Sequence, residues 1–402
     1  RVYLSKNRSM PAHLLPGKFD KKIDRDEAVR RARRCLPECD RLSDVRETER
    51  LWFPVENELV PAWKVRLTRP SPREEWIVYL SARNGAVLNK YDNLAEAVRG
   101  RGQVFDPSPV TALGDHALLL SEKMKPRRPP PVAYREVILE GLDGGGTLCG
   151  EKVTTAPTRD MRVRKPDLRF LLHSHERGFE EVMVYYHVDS ALRYLEKLGY
   201  KGARTIFREP VKANVNGTRD DNSWYSPVDR MLTFGTGDID DAEDAETILH
   251  AICPDFGQSV EAAAMGEGFG DYFAASFFAS RKPPRYRNSV MSWDGLLSGL
   301  GSGDDPPCLR RVDSMHTYKS FRPRGDEHVN GQIWSATLWE VRALLGREKA
   351  DRLILESHFQ LDGFTDFARG ARAILDADRH LEDGRHELAL KKIFRRRRIG
   401  PV

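Results

Sequence analysis

From Ala262 to Phe278 the chain reads AAAMGEGFGDYFAASFF, apolar on every side of a helix about four and a half turns long. A helix of that kind must be buried between other elements, so this stretch constrains the fold more than any other. Within it Glu267 and Asp271 stand four residues apart and share one face. That spacing places Glu267 to reach a metal ion and Asp271 to orient a histidine ligand from behind.

A second helix is expected just upstream. Asp240-Asp241-Ala242-Glu243-Asp244-Ala245-Glu246 supplies the acidic first turn that suits a helix N-terminus, Thr247, Ile248 and Leu249 can enter a core, and His250 follows. In a helix of the H-E-x-x-H pattern two histidines four apart bind zinc, and the glutamate beside the first activates water. Here only His250 is present, and the next residue is Ala251.

Ile248-Leu249-His250-Ala251-Ile252, with Gly266-Glu267-Gly268-Phe269-Gly270-Asp271-Tyr272 beyond it, resembles the gluzincin zinc metallopeptidases, and within them the fungalysin and thermolysin-like branch and its bacterial relatives. That branch typically reads Ile-Leu-His-Glu-Tyr-Gly-His-Ala-Ile at this point. The left flank of His250 matches the first ligand and the right flank the second, as the deletion of one helical turn would produce. The interval from His250 to Glu267 is also short for the family. The motif is therefore truncated: the general-base Glu and one ligand His are absent. Glu246, Cys253 and Asp255 lie near enough in sequence to replace the missing ligand, although Pro254 would end a helix at once.

The resemblance implies zinc as cofactor, His250 and Glu267 as its ligands, Asp271 behind them, peptide or protein substrates, and secretion. It further implies that His328 donates a hydrogen bond to the oxyanion, as the catalytic residue outside the metal. His328 opens the stretch Asp326-Glu327-His328-Val329-Asn330-Gly331-Gln332-Ile333-Trp334, where local capping is the plainer role. Asn222 and Ser223, in Asp221-Asn222-Ser223-Trp224-Tyr225, match an edge strand that pairs with bound peptide. A loop-to-strand junction is the plainer reading there.

A chain of 402 residues, 40% of them apolar, has material for two to three domains with ordinary cores. Net charge of +5 on 65 basic and 60 acidic residues singles out neither nucleic acid nor membrane as a partner, and no run of about 18 apolar residues exists. Arg395-Arg396-Arg397-Arg398 has no interleaved aromatics and reads as a solvated tail. The start at Arg1, without an apolar signal core, reads as a processed, excerpted or misjoined product. Cys35, Cys39, Cys149, Cys253 and Cys308 are scattered and read as core or idle thiols.

Taken in order, residues 1 to about 18 read as a polar tail, and Asp24 to Arg34 as a basic helix. Leu51–Val55, Pro61–Leu67 and Glu75–Leu80 alternate like half-buried strands, with Asn84-Gly85 as a hairpin turn before Ala86-Val87-Leu88. PAWKVRL followed by EWIVYLSARNGAVL resembles the PepSY-like propeptide domain of the same family, an inhibitor and folding aid. Pro126 to Pro131 suggests a linker and Gly144-Gly145-Gly146 a tight turn. Phe179 to Leu198 fits a helix ending at Gly199, in which His187 reads as a satisfied core or surface residue; Met231–Gly235 fits a strand. Helical patterns run from 308 to the end.

The expected architecture is α+β: a propeptide-like unit over 1–95, a β-rich peptidase lobe with the active-site helices over 96–280, and a helical lobe over 281–402. Two functions follow. One is a zinc metalloendopeptidase family member, inactive or impaired for want of the base and one ligand; the other is a non-catalytic peptide-binding or decoy protein on the same fold.

Overall fold

A computed structural model describes residues 22–36, 44–55, 58–70, 73–92, 98–159, 162–253 and 257–401. The expected N-terminal tail, Cys39, Pro254 and Asp255 lie outside the described residues. The fold is α+β, and the chain divides into two compact units, Arg1–Glu96 with Gly202–Arg204, and Ala97–Lys201 with Thr205–Val402.

The first unit is one helix on one sheet. Helix α1 (Arg25–Arg34) is followed by β1 (Asp44–Val55), β2 (Glu58–Pro70), β3 (Arg73–Ser81) and β4 (Val87–Asp92), an antiparallel meander in the order β1-β2-β3-β4. Alternation sets its faces: Trp63, Val65 and Leu67 on β2 turn inward with Val78 and Leu80, and Ala28 and Ala32 of α1 cover them. Asp24 caps α1 by accepting from the Glu27 amide, and Trp63 donates its ring N–H to the Ile23 carbonyl at 3.2 Å. At the β3–β4 turn Gly85 takes φ +74°, a left-handed conformation that suits glycine.

The second unit opens with β5 (Val98–Val104), α2 (Pro109–Leu113), β6 (Arg135–Leu142), β7 (Val153–Thr154) and β8 (Arg169–Phe170), then the long α3 (Phe179–Lys197). Next come β9 (Val211–Thr218), β10 (Trp224–Ser226), β11 (Met231–Gly235), the short α4 (Ala245–Ala251) and the long α5 (Val260–Phe278). Strand β12 (Ser289–Val290), α6 (Leu296–Ser302) and β13 (Arg310–Arg311) precede four helices, α7 (Glu327–Leu345), α8 (Arg347–His358), α9 (Phe367–Glu382) and α10 (Glu387–Arg396). Strands order as β6-β5-β8 and β10-β11-β9-β7, so β10 is a sheet edge. One apolar core runs from Val104 to Ile399, and inside it Asp351 of α8 accepts hydrogen bonds from Tyr194 of α3 and from Tyr272 and Ser276 of α5.

Three expectations change. Pro126 to Pro131 is no linker between units: Arg127 donates to the Leu119 carbonyl and Ser121 to that of Lys125, inside the second unit. The acidic lead-in is not one helix, because the Asp240 and Asp244 side chains accept from Ala242 and Glu246 and so cap two successive short turns. The arginine run is not a free tail either: Arg397 is buried, paired with Glu340 at 2.7 Å and donating to the Ser314 and His316 carbonyls.

Candidate active site

Three helices bring the site together, and glycine lets them approach. A side chain at Gly268 on α5 would collide with the Gly331 carbonyl and Trp334 of α7, so those helices touch backbone to backbone. Across α5, a Cβ at Gly270 would stand 2.6 Å from His250 Nδ1, so the imidazole of α4 lies flat against the helix there. Glu267 and Asp271 flank that contact on the same face of α5.

His250 consequently sits between two carboxylates. Its Nε2 is 3.0 Å from Glu267 Oε2 and its Nδ1 is 3.1 Å from Asp271 Oδ1. Burial works against charge on this ring, but the flanking Asp271 and Glu267 carboxylates outweigh it and raise its pKa to about 9. Glu267 is correspondingly held below the usual carboxylate range, burial being outweighed by His250. His328, in the first turn of α7, places Nε2 3.2 Å from the same Glu267 Oε2. Asp326, which caps α7 by accepting from the His328 and Val329 amides, has Oδ1 3.4 Å from His328 Nδ1 and steadies the ring from behind. His250, Glu267, Asp271 and His328 therefore form one cluster.

Asp271 has a partner that the sequence did not reveal. Arg310 of β13 grips it in fork geometry, Nε to Oδ2 at 2.7 Å and Nη2 to Oδ1 at 2.8 Å. This guanidinium, with His250, holds the buried Asp271 carboxyl well below its ordinary range despite burial.

Asn222 and Ser223 directly precede the edge strand β10. The Ser223 hydroxyl donates to Asp241 and accepts from the Gly235 amide at 3.2 Å. Asp241, Asp221 and Asp294 form an acidic group whose oxygens lie within 4.8 Å of one another, and Asp294 accepts from Thr247, one turn before His250 on α4, at 3.0 Å. Ser223 of the edge segment thus bonds Asp241 and Thr247 of α4 bonds Asp294, the two carboxylates lying within 4.8 Å of each other. No sequence spacing marks that trio, since its members come from three separate segments.

Of the substitutes for the missing ligand, Glu246 and Cys253 are otherwise engaged, and Asp255 lies outside the described residues. Glu246 is fully buried and paired with Lys282 at 2.7 Å, while its other oxygen accepts from the Met291 amide. Cys253 donates its thiol to the Leu249 carbonyl, and burial pushes its pKa well up, which disfavours the thiolate that zinc takes. His187 is a core residue, its Nε2 2.8 Å from the Phe105 carbonyl, and burial lowers its pKa to about 4.

The cluster fits a zinc ion with one donor fewer than tight catalytic sites use. Glu267 Oε2 is enclosed and crowded by two imidazole nitrogens, yet neither makes an in-line hydrogen bond to it, and His250 Nδ1 is equally unsatisfied. An oxygen held this way between nitrogen donors is arranged as a shared cation would arrange it.

No family model matches the chain. Over 163 residues it is 26% identical to extracellular metalloproteinase 2 of Trichophyton tonsurans and of Arthroderma benhamiae, a match covering 35% of this chain and 26% of each relative. Extracellular metalloproteinase 5 of Arthroderma otae is 26% identical over 162 residues. The chain thus spans about a quarter of the length of the curated relatives it matches. This distant likeness sets the chain beside extracellular metalloproteinases, and the family it supports is that of the metallopeptidases.

Proposed function

We propose that this chain is a gluzincin-type member of the metallopeptidases, of the fungalysin and thermolysin-like branch, whose peptidase chemistry is lost or severely impaired. One observation carries the reading: the helix that delivers His250 continues with Ala251, buried and apolar, and ends there, so among the described residues no carboxylate follows the histidine on that helix to take a proton from water. Glu267 and Asp271 do not serve instead, because both are committed to His250 and Asp271 also to Arg310.

Zinc, when bound, would supply the Lewis acid that polarises a peptide carbonyl. His250 and Glu267 would hold it, with Asp271 fixing the His250 ring. His328 would donate Nε2–H to a developing oxyanion, and its Asp326 contact favours a fixed orientation. The exposed edge at β10, entered through Asn222 and Ser223, would hold an extended peptide by backbone pairing. Residues 1–95 would form the propeptide-like domain, and the protein would be secreted like the relatives named above. What is missing is the general base, a contribution of about 10² to 10⁴-fold.

The test is metal analysis together with casein and peptide hydrolysis, with and without chelator. Substoichiometric zinc and no chelator-sensitive cleavage are expected. Stoichiometric zinc with chelator-sensitive cleavage would overturn the proposal.

A further inference from the structure

Helix α4 stops early among long neighbours. It has seven residues, whereas α3 and α5, which pack against it, have 19 each. At about 1.5 Å per residue each neighbour is about 18 Å longer than α4. Where it ends, at Ile252 and Cys253, the described residues leave a gap between those neighbours. A cavity of ≈ 330 Å³ opens there, floored by Ala191 and Leu195 of α3 and by Phe269 and Phe273 of α5.

The chemistry of this cavity is one-sided. Among the described residues that line it there is no acid, lysine or arginine. Its titratable residues are Tyr225, Cys253 and His358: the first two carry no charge in their protonated forms, and burial lowers His358 to a pKa of about 3, which leaves it neutral. The mouth is apolar as well, since Phe359 and Ile206 are 64% and 44% exposed there. Water gains little in such a space, because it needs two to four polar partners. A charged guest would lose its hydration with nothing to replace it.

We infer that this cavity is a binding site for a small, neutral, hydrocarbon-rich ligand, seated in the space beyond the end of α4. Its size sets the class more closely. An apolar cavity of about 150 Å³ takes up benzene, so this one has room for a fused pair of aromatic rings or a chain of about ten carbons. The inference uses none of the metal donors, and of the β10 edge it uses Tyr225 alone, so it does not depend on peptide pairing there.

The full chain is titrated with N-phenyl-1-naphthylamine, a neutral dye that brightens in apolar surroundings. One site per chain is expected, emptied by naphthalene or 1-decanol and at least tenfold less readily by decanoate. Ala191→Leu, which adds three carbons to the floor, should weaken dye binding at least tenfold. If that variant fails to fold, the unaltered chain carries its own reporter. Naphthalene should slow methylthiolation of Cys253 by methyl methanethiosulfonate and leave that of Cys149 unchanged. Absence of dye binding, equal displacement by decanoate, binding undiminished in folded Ala191→Leu, displacement only by peptides bearing a large apolar side chain, or Cys253 modification unslowed by naphthalene would each overturn the assignment.

Discussion

Asp271 is the residue on which the cluster's geometry depends, because it is buried and answers two cations at once, His250 and Arg310. Asp271→Asn keeps the shape and removes the charge, leaving a largely enclosed guanidinium without its counter-ion. Breaking one side of such a pair costs about 3–5 kcal/mol. The urea midpoint should fall accordingly with an unchanged slope, and a loss under about 1 kcal/mol would show that Arg310 finds another acceptor. The acidic lead-in makes a second prediction at this scale. Burial raises Glu243 from 4.5 to about 8 and Asp241 from 3.8 to about 6, the neighbouring carboxylates adding to the effect. Groups whose pKa rises on folding stabilise the protein below their unfolded value, and that stability is lost as pH climbs through the folded value. Thermal stability should therefore decline between about pH 4 and 8, a trend that melting curves across that range can check. Constant or rising stability would mean that a cation already neutralises these carboxylates.

Among the elements, the crossing of α5 and α7 admits no side chain at Gly268. Ala there gains about 1 kcal/mol of helix propensity but drives a methyl group into the Gly331 backbone, an overpacking cost of typically about 1–3 kcal/mol. Net destabilisation with weakened zinc uptake is expected for Gly268→Ala; a more stable variant would show that the helices can separate. Helices such as α3, α5 and α7 were legible in the sequence because their apolar residues recur at helical spacing over 19 residues. Likewise Trp63, Val65 and Leu67 announced the first sheet by alternation. His250, Glu267, Asp271 and His328 were legible as chemistry, though only folding shows that the two histidines converge on one carboxylate oxygen of Glu267. Arg310 was not, since it lies on a two-residue strand 39 positions from its partner and no periodicity marks it. Nor could the brevity of α4 be read in full. Side-chain caps at Asp240 and Asp244, which compete locally with helix, decide where it begins.

At the scale of the whole molecule, the two units keep separate cores, one built on α1 and its meander and the other on the helices around α5. The second unit also encloses a complete ion pair: Lys282 and Glu246 have no exposed side-chain surface, and the ammonium group also donates to the Ser289 carbonyl. This arrangement has a consequence for covalent labelling. An amine sealed in this way reacts with an acylating reagent only in those moments when the surrounding structure opens, so its acetylation rate serves as a clock for that opening. In the native protein Lys282 should be acetylated about a hundredfold or more slowly than exposed Lys123 of the same unit, and peptide mass spectrometry would resolve the two. Equal rates would mean that the interior exchanges with solvent freely. A Lys282 rate that quickens with urea in step with global unfolding would instead give the opening free energy of the unit from one modified residue.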